Sequence, residues 1–230
     1  MTPLRRSTRD SLREPRHMKR FLIVRHAEST ANTEGILAGR IDPTALTASG
    51  RDAAAKLNTV IAEFNPEIAK VSPMLRCRQT IELAGLLDYH LDDRLIEMDY
   101  GSWSGRSLKS LSRKREWREI QERPDNFTFP RGESFAQAWD RIGELLGDLD
   151  VSANEKFLLV THGDISRMII ARLLGFPLND FQRFMIQPGS HSLISSNGRD
   201  KTTVGYLNRI EPMKGSDRGS SDVTFKVGGE

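Results

Sequence analysis

Two unbroken apolar runs, Phe21-Leu22-Ile23-Val24 and Phe157-Leu158-Leu159-Val160, constrain this chain more than any other feature. Each is too short to be read as a helix, and continuous hydrophobicity over so few residues marks a strand covered on both faces, as in a parallel sheet. Each also runs directly into a histidine followed by a small residue, Arg25-His26-Ala27 in the first case and Thr161-His162-Gly163 in the second. The carboxyl ends of parallel strands face the ligand crevice of an open α/β sheet, so the two imidazoles can meet there.

The segments between these strands carry helical periodicity. Thr47 stands as an N-cap before Ala53, Leu57, Val60, Ile61 and Phe64, and Pro66 stops that helix. Ile68–Val71 reads as a second strand, Met74–Leu87 as a helix, and Arg94-Leu95-Ile96 as a short strand. Phe135, Trp139, Ile142, Leu145 and Leu146 define another helix. The stretch after His162 forms one more, over Ile165–Leu174, closed by Gly175 and Pro177. Strands are expected at Ser192–Ser195 and Thr202–Ile210. Strands alternating with helices predict an α/β fold: a three-layer sandwich with a mostly parallel central sheet flanked by helices. Between Leu108 and Arg123 a densely charged stretch with Leu111, Trp117 and Ile120 on one face reads as a small helical lid inserted into that fold at about residues 104–131.

Length and charge bound the function. The 230 residues suit one domain, or at most two small ones, with a real core, and no apolar run approaches the roughly 18 residues of a membrane span. Lone Cys77 can form neither an internal disulfide nor a thiolate metal site, which fits a cytoplasmic protein. The net charge of +3 comes from the first 20 residues, where seven cations face Asp10 and Glu14. Residues 1–17 therefore read as a basic flexible arm, 18–210 as the folded domain and 211–230 as a disordered tail. The arm has no apolar stretch of a secretory signal, and Met18 would serve as an alternative start. It has no interleaved aromatics either, so no specific nucleic-acid partner and no membrane partner are expected. Nothing in the sequence sets an oligomeric state.

Arginines surround the two histidines. Arg25 precedes His26 and Arg76 falls in the first turn after the second strand. A buried guanidinium without a partner is costly, and phosphate would satisfy both through bidentate contacts, with further donors from the backbone after His26. Such guanidiniums also bias His26 towards the neutral, nucleophilic imidazole, provided that its other nitrogen donates to a fixed acceptor.

These blocks resemble the histidine phosphatase superfamily, in its phosphoglycerate mutase-like branch. The matching residues are Arg25-His26-Ala27-Glu28-Ser29 with Asn32, Arg76 within Ser72–Thr80, Glu97 before Gly101-Ser102-Trp103-Ser104-Gly105, Gly132-Glu133-Ser134, and Thr161-His162-Gly163-Asp164. The resemblance implies that His26 is the nucleophile and becomes a phosphohistidine. It implies that Arg25, Arg76 and His162 bind the transferring phosphoryl group, that Glu97 protonates the leaving oxygen, and that Ser29 and Asn32 line the same pocket. It implies no metal and no cofactor. The positive charge supplied by magnesium elsewhere would come from the arginines and a protonated His162, while Glu97 would start protonated through burial beside a phosphate.

Competing chemistries fit less well. Cys77 is followed at once by Arg78 and reads as a small buried helix residue, and Trp103 occupies the centre of what would otherwise be a nucleophile elbow. In that superfamily the mutases carry a long basic insertion after the acid, so the short interval from Glu97 to Glu133 and the Gly101–Gly105 turn resemble its phosphatase side, and the resemblance implies hydrolysis of a small phosphorylated metabolite. The alternatives are a phosphoglycerate mutase-like phosphotransferase and a non-catalytic phosphate-binding protein. Arg106, Lys109, Arg113 and Arg131 are candidates for contacts to the rest of the substrate.

Overall fold

Six strands, β1 (Lys19–Arg25), β2 (Ile68–Val71), β3 (His90–Leu91), β4 (Lys156–Thr161), β5 (His191–Ser196) and β6 (Thr202–Arg209), form one sheet in the order β3-β2-β4-β1-β5-β6. This computed structural model describes residues 18–197 and 201–210. The basic arm and the tail lie outside the described residues. The pairs β3–β2, β2–β4 and β4–β1 are parallel, while β5 runs antiparallel to β1 and to β6. The mostly parallel sheet is thus as expected, with antiparallel pairing confined to its carboxyl-terminal strands.

Alternation along the two apolar strands divides the core. Phe21, Ile23, Phe157 and Leu159 face one layer, and Leu22, Val24, Leu158 and Val160 face the other. Helices α2 (Ala48–Phe64) and α3 (Leu75–Leu83) cover the second face with Leu57, Ile61, Cys77 and Ile81. On the first face lie α6 (Phe135–Val151) and α7 (Gly163–Leu173), which bring in Phe135, Ile142, Leu145, Ile165 and Ile169. The chain leaving β1 therefore turns to one face and the chain leaving β4 to the other. The crevice between two such neighbouring strand ends is where ligands bind in open α/β sheets.

Local sequence explains the helix ends. Thr47 caps α2 by accepting from the Gly50 N–H at 2.9 Å, and Asn65 closes it in the left-handed conformation. Helix α3 stops at Leu83, ahead of Gly85 with φ of 85°, so Leu87 is exposed rather than part of a longer helix. The expected strand at Arg94–Ile96 is instead a single 3₁₀ turn, Asp93–Leu95, preceded by the two-residue β3. The side chain of Asp92 accepts from the Arg94 N–H, and the Leu95 carbonyl accepts from the Thr161 hydroxyl at 2.6 Å, which together favour a turn over an extended strand. The Leu108–Arg123 helix is broken into α4 (Leu108–Leu111) and α5 (Arg115–Glu122). Its apolar face is as expected: Leu111 and Ile120 are buried in the main core, with Trp117 packed against it and stacked on Trp103. A four-residue helix, α1 (Thr30–Thr33), follows β1.

Candidate functional site

Parallel pairing sets His26 beside His162. In the β1–β4 register Arg25 is opposite Thr161, and the His26 N–H donates to the Thr161 carbonyl at 2.8 Å. The next residue on each strand is thus a histidine, and the two rings lie 5.2 Å apart, inclined at 63°. Both are buried.

The His26 ring is oriented by backbone. Its Nδ1 lies 2.8 Å from the Ala27 carbonyl oxygen, which can only accept, so Nδ1 carries the proton and Nε2 keeps the lone pair of the neutral ring. The Ala27 N–H donates to Thr80 Oγ1, whose hydroxyl in turn donates to the Arg76 carbonyl. Ala27 is not among the residues with positive φ, so its β-carbon is accommodated without backbone strain. Burial, then Arg76 and Arg25, hold His26 well below the ordinary histidine range.

Arg76 enters from α3 and is 2% exposed. One terminal nitrogen donates to the Gly39 carbonyl at 2.8 Å, while the other is buried with no hydrogen-bond partner. Arg25 is similar: its Nη1 donates to the Ile186 carbonyl at 2.6 Å, and its Nε is buried and unpartnered. The Arg25 guanidinium lies across the start of α7, where a Cβ on Gly163 would come within 3.2 Å of Cζ. Two guanidiniums, each with a buried donor left unused, beside an uncharged imidazole are an arrangement that can accept an anion.

Glu97 is buried on the segment that follows the Asp93–Leu95 turn. Its Oε1 accepts from the Met98 N–H at 3.0 Å, and its carbonyl accepts from Arg40 Nε at 3.0 Å. Arg40 and Arg141 both pair with Glu133, which also accepts from the Asp99 N–H. Burial, reinforced by the Asp164 carboxylate and opposed by Arg76 and Arg25, raises the Glu97 carboxyl to about 7.

His162 departs from expectation. Burial first, then Arg76, His26 and Arg25, hold it well below the ordinary histidine range, so burial and the neighbouring cations keep it neutral rather than protonated. Its Nε2 sits 2.7 Å from Ser72 Oγ. Ser29 and Asn32 bond each other, with the Ser29 N–H 3.0 Å and its hydroxyl 2.8 Å from Asn32 Oδ1. The Asn32 oxygen is therefore committed and its amide donors remain for another partner. Cys77 is fully buried 3.5 Å from His162 Nε2, its thiol pushed up to about 12 by burial, and is an inert core residue as expected.

The motifs contained further participants to which sequence reasoning assigned no role. Ser72, Thr80, Tyr100 and Asp164 all fall inside or beside the recognised blocks, but each acts through a partner far along the chain. Ser72 meets His162, Thr80 meets Ala27, and Tyr100 donates to Asp164 Oδ2 at 2.8 Å. Of these, spacing could have flagged Thr80, one helical turn after Arg76.

A parallel-sheet crevice holding an uncharged, backbone-oriented imidazole, guanidiniums with unused donors and a protonatable carboxyl defines a protein of phosphoryl chemistry. The chain belongs to the histidine phosphatase superfamily (branch 1), whose family model matches residues 21–209. It is 30% identical over 188 residues to phosphoserine phosphatase 1 of Hydrogenobacter thermophilus, covering 79% of this chain and 89% of that protein. A relative from Erwinia tasmaniensis that bears the name phosphoglycerate mutase GpmB is 29% identical over 196 residues, covering 83% and 91%. The crystal structure of the alpha-ribazole phosphatase from Shigella flexneri superposes with a TM-score of 0.74 at 26% identity, covering 84% of this chain and 99% of that one.

Proposed function

We propose that this chain is a metal-independent phosphomonoesterase that hydrolyses small phosphorylated metabolites through a phosphohistidine on His26. The observation that carries the reading is the fixed tautomer of His26, with Nδ1 held by the Ala27 carbonyl and Nε2 left as the base. In the first half-reaction Nε2 attacks phosphorus as the bond to the leaving oxygen breaks, and protonated Glu97 gives that oxygen its proton. In the second, the Glu97 carboxylate takes a proton from water while the water oxygen attacks phosphorus and the phosphorus–nitrogen bond breaks. Inorganic phosphate leaves and both groups return to their starting states.

Arg25 and Arg76 bind the equatorial phosphoryl oxygens with the donors that the protein leaves unsatisfied. An arriving dianion draws His162 towards its protonated form, so that this ring gains its charge with the substrate rather than before it. Asn32 contributes its amide donors, and Ser29 acts by holding Asn32. The segment 104–131 forms the lid, anchored beneath by Leu111 and Ile120, with Arg106, Lys109, Arg113 and Arg131 available to substrate groups beyond the phosphate.

The test is phosphate release from a panel of phosphorylated metabolites in chelator, with acid- and base-quenched samples examined for phosphohistidine. Wild type should release phosphate and carry the base-stable label, and His26→Ala should do neither. Phosphoryl exchange that requires a bisphosphate primer would establish the mutase instead. Phosphate release that depends on added divalent metal would exclude the metal-free route, and an absence of both label and turnover would leave a binding protein.

A further inference from the structure

Asp164 opens α7 directly after His162-Gly163, in the strip of chain that leaves β4 for the crevice. Both of its carboxylate oxygens are engaged. Oδ2 accepts from the Tyr100 hydroxyl at 2.8 Å, and Oδ1 accepts from Arg167 Nη1 at 3.2 Å. Tyr100 is buried three residues after Glu97, and its ring packs against Gly39, where an added Cβ would meet Tyr100 Cδ2 at 2.9 Å. Gly39 is the residue whose carbonyl receives Arg76. A single contact, Asp164 to Tyr100, therefore ties the acid-bearing segment to the helix that starts at His162, and through Gly39 to the guanidinium of α3.

We infer that Asp164 is a positioning residue for Glu97: pinned by Tyr100 and Arg167, its carboxylate fixes the acid-bearing segment and is the anion that the Glu97 carboxyl faces. This rests on the reading of Glu97 as the acid for its catalytic meaning, but its electrostatic content stands apart from it. Glu97 is faced by Arg25 from β1, Arg76 from α3 and Asp164 from α7, with the Met98 N–H on its own segment and Arg40 on its carbonyl. Among those charged side chains Asp164 is the one anion. After burial it is the largest influence holding the Glu97 proton in place, and the two arginines act the other way. Arg167 tempers Asp164, and with its buried, unpartnered Nε it also disfavours the charge on Arg25.

The experiment is carboxyl ¹³C titration of the full chain labelled at glutamate, with Glu97 assigned by its absence in Glu97→Gln, run beside pH profiles of kcat/KM. Asp164→Asn keeps the shape and removes the charge, and the Glu97 midpoint should fall by about one pH unit. Arg167→Gln leaves Asp164 unopposed and should move the midpoint upward, a reversal of sign that damage to packing would not produce. If Asp164→Asn does not fold, Arg167→Gln decides alone. A midpoint unmoved or raised in Asp164→Asn, or lowered or unmoved in Arg167→Gln, overturns the inference. A midpoint that moves as expected while the falling limb of kcat/KM stays in place upholds the inference and overturns the role of Glu97 as acid.

Discussion

Replacing Arg76 by methionine should make the protein more stable and almost inactive. In the protein alone this guanidinium is 2% exposed, has one donor on the Gly39 carbonyl and has a second buried donor with no partner. Leaving such a donor unsatisfied costs about 1–3 kcal/mol, and exchanging a buried charge for an apolar chain of similar length removes its desolvation cost as well. Against this, the buried Gly39 carbonyl is left without its donor at about 1–3 kcal/mol, so the two hydrogen-bonding costs roughly cancel and the relieved desolvation decides. The balance favours the variant by about 1–2 kcal/mol, or roughly 2–8 °C in Tm for a domain of this size. Activity moves the other way. Charge-assisted hydrogen bonds to the phosphoryl oxygens are worth about 1.5–3 kcal/mol each, so kcat/KM should fall about 10²–10³-fold. Calorimetry in phosphate-free buffer, repeated with saturating phosphate, reads both effects. Wild type should gain about 2.7 kcal/mol when phosphate reaches a hundred times its Kd, and Arg76→Met should gain far less at the same concentration. A variant that is destabilised like an ordinary cavity mutant, or that is stabilised by phosphate as much as wild type, would refute the assignment of Arg76 as an anion receptor awaiting its partner.

Two further outcomes follow from the buried titrating groups. Between pH 5 and 6 the unfolded chain binds protons on His26 and His162 that the folded chain excludes, while the folded chain keeps a Glu97 proton that the unfolded chain has lost. These three groups thus make stability rise with pH at about one proton's worth, roughly 1.4 kcal/mol per unit. Glu97→Gln should steepen the rise towards two, measured by denaturant unfolding at half-unit steps, and an unchanged slope would show that Glu97 titrates normally. The thiol of Cys77, the one cysteine of the chain, should resist a disulfide reagent at pH 8 until the protein unfolds, because it is fully buried and pushed up to about 12.

What could be read from the sequence were the features that depend on local pattern. Four apolar residues in a row fixed each central strand, and because β1 and β4 are parallel and in register, two histidines placed directly beyond those runs had to become neighbours. Arg76 was legible because it stands in the first turn of a helix that follows a strand. The short strand expected at Arg94–Ile96 was lost to side chains that no periodicity reveals: the Asp92 carboxylate on the Arg94 N–H and the Thr161 hydroxyl on the Leu95 carbonyl. Edge strand β3, two exposed residues long, has no hydrophobic signature to find. The neutral state of His162 was illegible for another reason, since protonation is a property of burial and of neighbours rather than of a motif.

The distribution of unsatisfied groups connects the fold to its chemistry. Six buried side-chain polar atoms lack a partner among the described residues, and three of them, on Arg25, Arg76 and Arg167, belong to guanidiniums gathered at the carboxyl end of the sheet. A fourth, Arg172 Nε, lies away from the crevice on a guanidinium stacked 4.4 Å over the Trp139 ring, which gives that cation a favourable neighbour. On the proposed function, a bound dianion would serve the donors on Arg25 and Arg76 together, while Arg167 is already paired with Asp164. The parallel sheet makes this concentration possible. It sets the carboxyl ends of β1 and β4 side by side at the centre of the sheet, sends α2 and α7 to opposite faces, and leaves between them a place where guanidiniums with spare donors can be held by a rigid core. Glu97 and Asp164 add two acidic side chains with different fates, one with its carboxyl raised to about 7 by burial and the other bound to Tyr100 and Arg167, so that on the proposed function proton transfer and phosphoryl binding fall to different residues.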